Sequence, residues 1–215
     1  MKKIFIIGSS KGIGNAIYKK INKKRYKVYA PKRNILDTSN IQQVIDFVKK
    51  IKKVDILIFN TGGPPKKSFY DIKYQEWIEF HNQLFLSFAL ILQNIKINKN
   101  GYVFLISSHT IKNPEDQLVL SNCYRLAACS LLKTYSNINA KNNISCINIA
   151  PGPIKTNRLK NLVKDLKKFE KNLPMLRAGD PEEIGNFVNS IVFNNIKYLN
   201  GVTINFDGGL SKSIF

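Results

Sequence analysis

Hydrophobic residues follow two spacings along this chain: short continuous apolar runs, and longer stretches with an apolar position every three to four residues. Continuous runs are typical of strands buried on both faces, and the longer spacing is typical of amphipathic helices. The strands predicted in this way are 4–7, 27–30, 56–59, 102–106, 144–149 and 202–206, and the helices are 14–24, 41–51, 74–97, 118–137 and 182–193. This alternation predicts an α/β fold with a doubly wound parallel sheet of about six strands in a single domain, residues 1–215.

One connection in this pattern is too short for a regular crossover. Only residues 31–34 separate the second strand from the apolar segment 35–37, whereas parallel neighbours need a connection of a dozen or more residues. We therefore expect the third strand and its preceding helix to be missing or vestigial, and the second strand to lie at the sheet edge. Thr38 and Ser39 are expected to cap the helix that follows.

The break between the first strand and the first helix is rich in glycine, with the sequence Gly8-Ser9-Ser10-Lys11-Gly12-Ile13-Gly14. Such a turn directs backbone N–H groups and the positive end of a helix toward a phosphate. Gly8 and Gly12 permit the tight turn and the approach of a pyrophosphate, while Gly14 lets the helix pack on the strand. The segment predicts a nucleotide site, with an ordinary strand-to-helix turn as the alternative.

Composition narrows the classes of partner. The formal charge is +20, which raises nucleic acid or anionic membranes as partners, but the lysines are scattered and form no arginine-rich stripe with interleaved aromatics. We expect neither partner. The three cysteines show no metal-ligand spacing, so we expect reduced thiols and no metal site. The apolar runs are too short for a signal peptide or a membrane span, which favours a cytoplasmic protein.

Several segments together resemble the short-chain dehydrogenase/reductase family. They are the glycine turn Gly8 to Gly14, Asn60-Thr61-Gly62-Gly63, Ile106-Ser107-Ser108, Pro151-Gly152-Pro153-Ile154-Lys155-Thr156, the segment 176–184, and Asp207-Gly208-Gly209. The resemblance runs almost end to end, closest in kind to 3-oxoacyl-(acyl-carrier-protein) reductases. It implies a Rossmann-type fold and a nicotinamide dinucleotide cofactor.

The type of cofactor is inferred from charge. Lys11, Lys32 and Arg33 lie where an adenosine 2′-phosphate would need cations, and no carboxylate ends the second strand, so we expect NADP(H). The alternative is that these cations belong to the general basic background. With the resemblance, the cofactor-binding residues are predicted to be Gly8, Ser10, Lys11, Gly12, Ile13, Gly14, Arg33, Asp37, Thr38, Asn60, Thr61, Gly62, Pro151, Gly152, Ile154 and Thr156.

The catalytic residues depart from the family pattern. The resemblance implies a serine, a tyrosine thirteen residues later and a lysine four beyond; counted from Ser108, these positions hold Ser121 and Arg125. A serine hydroxyl is a much weaker acid than a phenol, and arginine cannot give up a proton in a relay. The family's helix asparagine is replaced by Leu84, with Asn82 close by.

Three side chains are candidates for the missing proton donor. Tyr124 lies one helical turn after Ser121, His109 follows Ser108 directly, and His81 precedes Leu84 by about a turn. The alternative for each is a packed tyrosine or a surface histidine. The predicted catalytic set is Ser108, Ser121, Arg125 and Tyr124.

These predictions lead to two hypotheses of function. The first is an NADPH-dependent reductase of a carbonyl (or enoyl) group in a small or carrier-bound substrate, with residues 153–174 as a basic amphipathic lid. The second is a catalytically degenerate dinucleotide-binding protein that acts as a sensor or partner subunit. The resemblance implies a homodimer or homotetramer formed through the two long helices, whose apolar stretches are 84–92 and 118–132.

Overall fold

A computed structural model describes residues 1–214, so residue 215 of the predicted domain lies outside the described part. Six parallel strands form one sheet in the order β2-β1-β3-β4-β5-β6. The strands are β1 Lys2–Ile7, β2 Tyr26–Tyr29, β3 Lys53–Asn60, β4 Lys96–Ile106, β5 Ser145–Pro151 and β6 Val202–Phe206. The six-stranded parallel sheet and the edge position of the second strand confirm the sequence-based prediction.

Helices cover both faces of the sheet. They are α1 Gly12–Lys20, α2 Ile41–Val48, α3 Tyr74–His81, α4 Ser87–Asn94, α5 Val119–Asn139, α6 Asn157–Leu162, α7 Leu166–Glu170 and α8 Pro181–Phe193. Side chains of a strand alternate between the two faces, so Phe5 packs in the core with α2, α4 and α5, while Ile4 and Ile6 pack in the core with α1 and α8. The chain is therefore doubly wound. None of the helices described is long and apolar enough to cross a membrane.

The segment between β2 and α2 has no crossover, and its capping differs from the prediction. The N-cap of α2 is Asn40, whose side chain accepts a hydrogen bond from the Gln43 N–H at 3.1 Å. The prediction that Thr38 and Ser39 cap this helix is wrong. The Asp37 carboxylate accepts hydrogen bonds from both the N–H and the hydroxyl of Ser39, which holds Ser39 in the preceding turn.

The predicted helix 74–97 is wrong as a single element. It is α3, a π-helical turn at Asn82–Leu86, and α4, and it ends before Lys96, which starts β4 by pairing with Lys53. Apolar periodicity does not reveal either change, because the π turn is still helical and Ile97 is buried in the strand just as it would be in a helix. The π-helical turn is wider than an α-helical turn, and it determines which side chains between α3 and α4 reach the carboxyl ends of the strands.

The glycine turn packs tightly against the end of β3. A Cβ added to Gly14 would lie 2.2 Å from the Gly8 carbonyl oxygen, and the Asn60 side-chain amide donates to that same oxygen at 3.0 Å. This is the close packing of helix on strand that the sequence predicts for Gly14. The end of β1, the start of α1 and the end of β3 are thereby held together.

We predict that Gly14→Ala lowers the free energy of unfolding of the ligand-free protein by about 2–3 kcal/mol, because a methyl group there overpacks a backbone contact. Gly62→Ala is the control, since its Cβ would lie 3.7 Å from the nearest atom, and it should change stability by no more than about 0.5 kcal/mol. Chemical denaturation of both variants measures the difference. Equal stabilities would contradict the packing argument.

Candidate active site

The carboxyl ends of β1, β3, β4 and β5 line one large cleft of about 1530 Å³. The structure brings nearly all predicted site residues to it, with Gly14 and Tyr124 as the exceptions. The predicted residues on its wall are Gly8, Ser10, Lys11, Gly12, Ile13, Arg33, Asp37, Thr38, Asn60, Thr61, Gly62, Ser108, Ser121, Arg125, Pro151, Gly152, Ile154 and Thr156. Lys32 is exposed but does not line the cleft. The position of the cleft is the one expected of a doubly wound sheet.

The glycine turn forms a cradle at one end of this cleft. Gly8 and Gly12 have φ of +71° and +55°, a region that favours glycine, so the chain reverses here without a side chain above it. Lys11, the N-cap of α1, is extended and its side chain makes no capping hydrogen bond. The first backbone N–H groups of α1 are therefore left for an anion, and the cradle fits a dinucleotide pyrophosphate.

A second observation on the cleft wall supports a bound group. The hydroxyl oxygen of Thr61, in the loop after β3, is buried and has no hydrogen-bond partner within residues 1–214. Buried polar atoms are nearly always paired, so an unpaired one at a cleft marks a place where a ligand can complete the hydrogen bonding. Together with the cradle, it shows that this wall fits a dinucleotide.

The end of the cleft beside β2 holds a cation and an acid. Arg33 Nε donates to Asp37 Oδ2 at 2.8 Å, while the Arg33 side chain stays 72% exposed. Partial burial would by itself raise the pKa of Asp37, but hydrogen bonds from Arg33 and Ser39 outweigh it and lower that pKa. Asp37 is thus an ionised partner that orients Arg33 toward the cleft.

Ser108 stands at the end of β4 with its hydroxyl oriented by Thr110. Its Oγ accepts hydrogen bonds from the Thr110 N–H at 3.3 Å and from the Thr110 hydroxyl at 3.1 Å. Thr110 itself is fully buried. Because both contacts use the oxygen as an acceptor, the Ser108 proton remains available for donation into the cleft.

Ser121 and Arg125 reach the cleft from the same face of α5. Arg125 is only 8% exposed, and it donates to the backbone carbonyls of Ile106 at 2.9 Å and of Thr61 and Gly62 at 3.3 Å. Burial, and then the charge of a second arginine on the cleft wall, lower the pKa of Arg125 to about 10. The guanidinium stays charged at neutral pH, and its hydrogen bonds join the end of β4 to the loop after β3.

Among the predicted catalytic residues, Tyr124 differs in its placement, because its ring lies in an aromatic group and is not part of the cleft wall. Its ring packs edge-on against Trp77 and His81, with ring centroids 6.0 and 5.5 Å apart, and burial raises its pKa. On a helix Tyr124 points about 100° away from Arg125, so it faces α3 when Arg125 faces the cleft. His81 belongs to the same aromatic group and is also absent from the cleft wall.

His109 is the remaining donor candidate, and it lies in the cleft. Its Nδ1 is 3.2 Å from the Pro151 carbonyl oxygen and its Nε2 is 3.1 Å from a carboxylate oxygen of Glu115. Both partners accept hydrogen bonds, so a ring nitrogen that carries a proton can donate to the acceptor it faces. The hydrogen bond from His109, which outweighs partial burial, lowers the pKa of Glu115. Nothing in the sequence pattern marked Glu115.

At the position expected for the family's helix asparagine, the structure has a buried apolar side chain. Leu84 is buried in an apolar cluster with Phe80 and Leu120, and Asn82 donates weakly to the Ser39 carbonyl. Instead, Gln83 reaches the cleft wall and donates to the Gly62 carbonyl at 2.8 Å. The π-helical turn brings Gln83 here, and residue counting cannot detect such a turn.

Arg158 is another cleft residue that the sequence-based prediction did not include. It lies on α6, in the predicted lid segment, and donates to the carbonyls of Gly63 at 2.7 Å and Pro64 at 2.9 Å. Burial lowers its pKa. In a lysine-rich segment one arginine gives no distinct signal, so only its contact across the cleft reveals it.

Comparisons with known proteins agree with this geometry. Residues 10–211 match the family described as "Enoyl-(Acyl carrier protein) reductase". The chain is 30% identical to the 3-oxoacyl-(acyl-carrier-protein) reductase FabG of Buchnera aphidicola over 192 residues, which cover 83% of this chain and 76% of that protein.

Solved structures show the same fold. L-sorbose reductase from Gluconobacter frateurii, solved with NADPH and L-sorbose, superimposes with a TM-score of 0.88 at 21% identity, covering 99% of this chain and 97% of that one. A short-chain dehydrogenase/reductase from Serratia marcescens gives 0.86 at 21% identity, covering 98% of both chains.

The fold and the cleft thus define an oxidoreductase of the nicotinamide-dependent type. The chain belongs to the short-chain dehydrogenase/reductase family. Counted from Ser108, Ser121 and Arg125 are expected to hold the positions of the family's tyrosine and lysine.

We predict that the contribution of Glu115 to stability depends on pH. Its pKa in the folded protein lies below the ordinary 4.5, so the stabilisation is present above pH 4.5 and is lost as pH falls through the folded value. Because its side chain is 40% exposed, Glu115→Gln should lower the free energy of unfolding at pH 7 by at most about 1 kcal/mol.

Denaturation of wild type and variant between pH 7 and pH 3 measures this difference. The two should converge at the acid end of the range, while the exposed neighbour Asp116, changed to Asn, serves as the charge-matched control. A difference that stays constant with pH would contradict the ion pair.

Proposed function

We propose that this chain is an NADPH-dependent reductase that acts on a carbonyl (or enoyl) group of a small or carrier-bound substrate. The observation that carries the proposal is Ser108, whose hydroxyl proton is available in the same cleft as the glycine cradle. A hydroxyl so oriented can polarise a substrate oxygen. A non-catalytic dinucleotide sensor has no need of it, which favours the reductase over the degenerate alternative.

The proposed cofactor contacts follow the cleft wall. Gly8, Ser10, Gly12 and Ile13 would hold the pyrophosphate with the start of α1, and Asp37 and Thr38 would lie near the adenine. The residues proposed for the nicotinamide half are Asn60, Thr61, Gly62, Pro151, Gly152, Ile154 and Thr156. Gly14 would contribute through packing. A bound reduced nicotinamide would supply the hydride.

We assign proton delivery to His109 in place of the absent tyrosine. Its Nδ1 lies 3.2 Å from the Pro151 carbonyl oxygen, which fixes the ring, and its Nε2 faces Glu115 beside the cleft. A substrate oxygen that gains negative charge would compete with Glu115 for a proton on Nε2. Ser121 and Arg125 would bound the acceptor, Ser121 with a buried hydroxyl and Arg125 with its fixed charge.

The specificity for NADP(H) is proposed from Lys11 and Arg33. Both line the cleft, and Arg33 is held by Asp37 yet remains mostly exposed. Charge-assisted hydrogen bonds to a phosphate are about twice as strong as neutral ones. An adenosine 2′-phosphate would therefore find two cations at this end.

The oligomeric state, the location in the cell and the substrate class are proposed from the resemblance to the family and its members. We expect a homodimer or homotetramer, although several apolar side chains on the two long helices, such as Phe88 and Leu132, are buried inside the subunit, while Leu126 is exposed. A cytoplasmic location also stays a prediction. The name of the relative from Buchnera aphidicola supports a carrier-bound 3-oxoacyl group as one substrate class.

We predict that Ser108→Ala lowers kcat/KM for reduction by about 100-fold or more, because one oriented donor to a developing oxyanion is lost. The Kd for NADPH should not change. Ser130→Ala, an exposed serine on α5, is the matched control and should behave as wild type. NADPH oxidation with a panel of ketones measures the rate, and fluorescence titration measures the Kd. Turnover that Ser108→Ala leaves intact would argue against the reductase assignment.

We predict that Arg33→Ala raises the Kd for NADPH by about tenfold and leaves the Kd for NADH within about twofold of the wild-type value. The two cofactors differ because only NADPH carries the 2′-phosphate. Lys50→Ala, an exposed cation at the end of α2, is the control for loss of general positive charge. Tighter binding of NADH than NADPH by the wild-type protein would contradict this assignment.

A further inference from the structure

Two arginines on the cleft wall have no carboxylate to balance them. Arg125 and Arg158 make all their observed hydrogen bonds to backbone carbonyls, and neither forms an ion pair with any acid in residues 1–214. By contrast, Arg33 and Arg177 are each paired with an acid. Guanidinium groups removed from water usually find an anionic partner, because burial of an unbalanced charge is costly.

The two guanidinium groups also lie close together. Arg125 donates to the carbonyls of Thr61 and Gly62, and Arg158 donates to those of Gly63 and Pro64. These are four consecutive residues of one loop, and neighbouring Cα atoms are about 3.8 Å apart. The two charges therefore reach the same loop, one from α5 and the other from α6.

Electrostatics of the pair agree with this geometry. Burial is the main cause that lowers the pKa of each arginine, and the charge of Arg158 lowers that of Arg125 further. Glu115, an acid on the same cleft wall, is already bonded to His109, and its other carboxylate oxygen lies 3.8 Å from Lys66 Nζ. The part of the cleft wall that carries Arg125 and Arg158 thus keeps a positive charge that the described residues do not neutralise.

Arg158 retains the donors needed to bind an anion. A guanidinium has five N–H groups in a fixed fork, and two of those of Arg158 are used on carbonyls. The same wall carries Ser108 and His109, the residues proposed to act on the reducible group. An anion at Arg158 would therefore belong to the molecule being reduced.

We infer that the cleft contains an anion subsite built on Arg158, with Arg125 adding to its field, and that the substrate is an oxo acid whose carboxylate binds there. The subsite depends on the proposed function only for the reduction step. Carboxylate is preferred as the anion because its two oxygens match the planar fork of arginine.

Binding of unreactive ligands tests the subsite without turnover. Straight-chain carboxylates of four to eight carbons and the matching primary amides are titrated calorimetrically into the full chain saturated with NADPH. We expect the best carboxylate to bind about tenfold or more tightly than its amide. Arg158→Gln should abolish this ratio, whereas Lys160→Gln, which removes an exposed cation from the same helix, should preserve it.

Two further measurements separate a charge effect from a structural one. Arg158→Lys keeps the charge without the fork and should retain part of the preference for carboxylate. If Arg158 only pins α6 to the loop, Arg158→Gln would weaken carboxylate and amide equally, and the inference would be overturned. Inorganic phosphate that displaces the carboxylate with equal affinity would overturn the assignment of the anion as a carboxylate.

Kinetics then distinguish the subsite from the proposed reaction. Oxo acids with the oxo group at the second, third or fourth carbon are compared with their methyl esters by NADPH oxidation. Preference for an acid, lost in Arg158→Gln, supports both proposals. Carboxylate binding without turnover of any oxo compound would support the anion subsite and refute the reductase activity. Equal turnover of acids and esters would support the reductase activity and refute the anion subsite.

Discussion

The buried guanidinium of Arg125 is the interaction on which the rest of the site depends. It joins the end of β4 at Ile106 to the loop after β3 at Thr61 and Gly62, and so fixes the two walls between which a substrate must fit. Removing one partner from such a buried charged network leaves carbonyls unpaired and is strongly destabilising. At the position of the family's lysine, this chain therefore has a residue that can bridge several carbonyls at once but cannot relay a proton.

That replacement moves the proposed acid chemistry from a helix to a loop. With Ser121 at the tyrosine position and Tyr124 directed into an aromatic cluster, α5 offers no phenol to the cleft. The loop after β4 provides instead an imidazole fixed between Pro151 and Glu115. Ser108, the serine retained in register, lies directly before this histidine, so polarisation and proposed proton delivery come from one short segment.

The sequence predicted the sheet and many of the residues that line the cleft because these depend on local patterns. Continuous apolar runs mark buried strands, a short linker forbids a crossover, and glycine spacing marks the turn at Gly8. Sequence-based prediction failed where two local conformations share the same pattern of residues. The π-helical turn that brings Gln83 to the cleft wall keeps helical periodicity, and Asn40 rather than Ser39 is the cap because Asp37 already holds Ser39.

By itself, the sequence determined the family, from residue types at fixed spacing, and the edge position of β2, from a short linker. It also predicts that Ser121 and Arg125 stand at the positions of the family's tyrosine and lysine. Only the tertiary structure decided which further side chains reach the cleft. Glu115 meets His109 across a loop, and Arg158 meets the carbonyl of Gly63, 95 positions away. The first contact depends on the path of a short loop and the second on the packing of distant segments, and no periodicity along the chain records either.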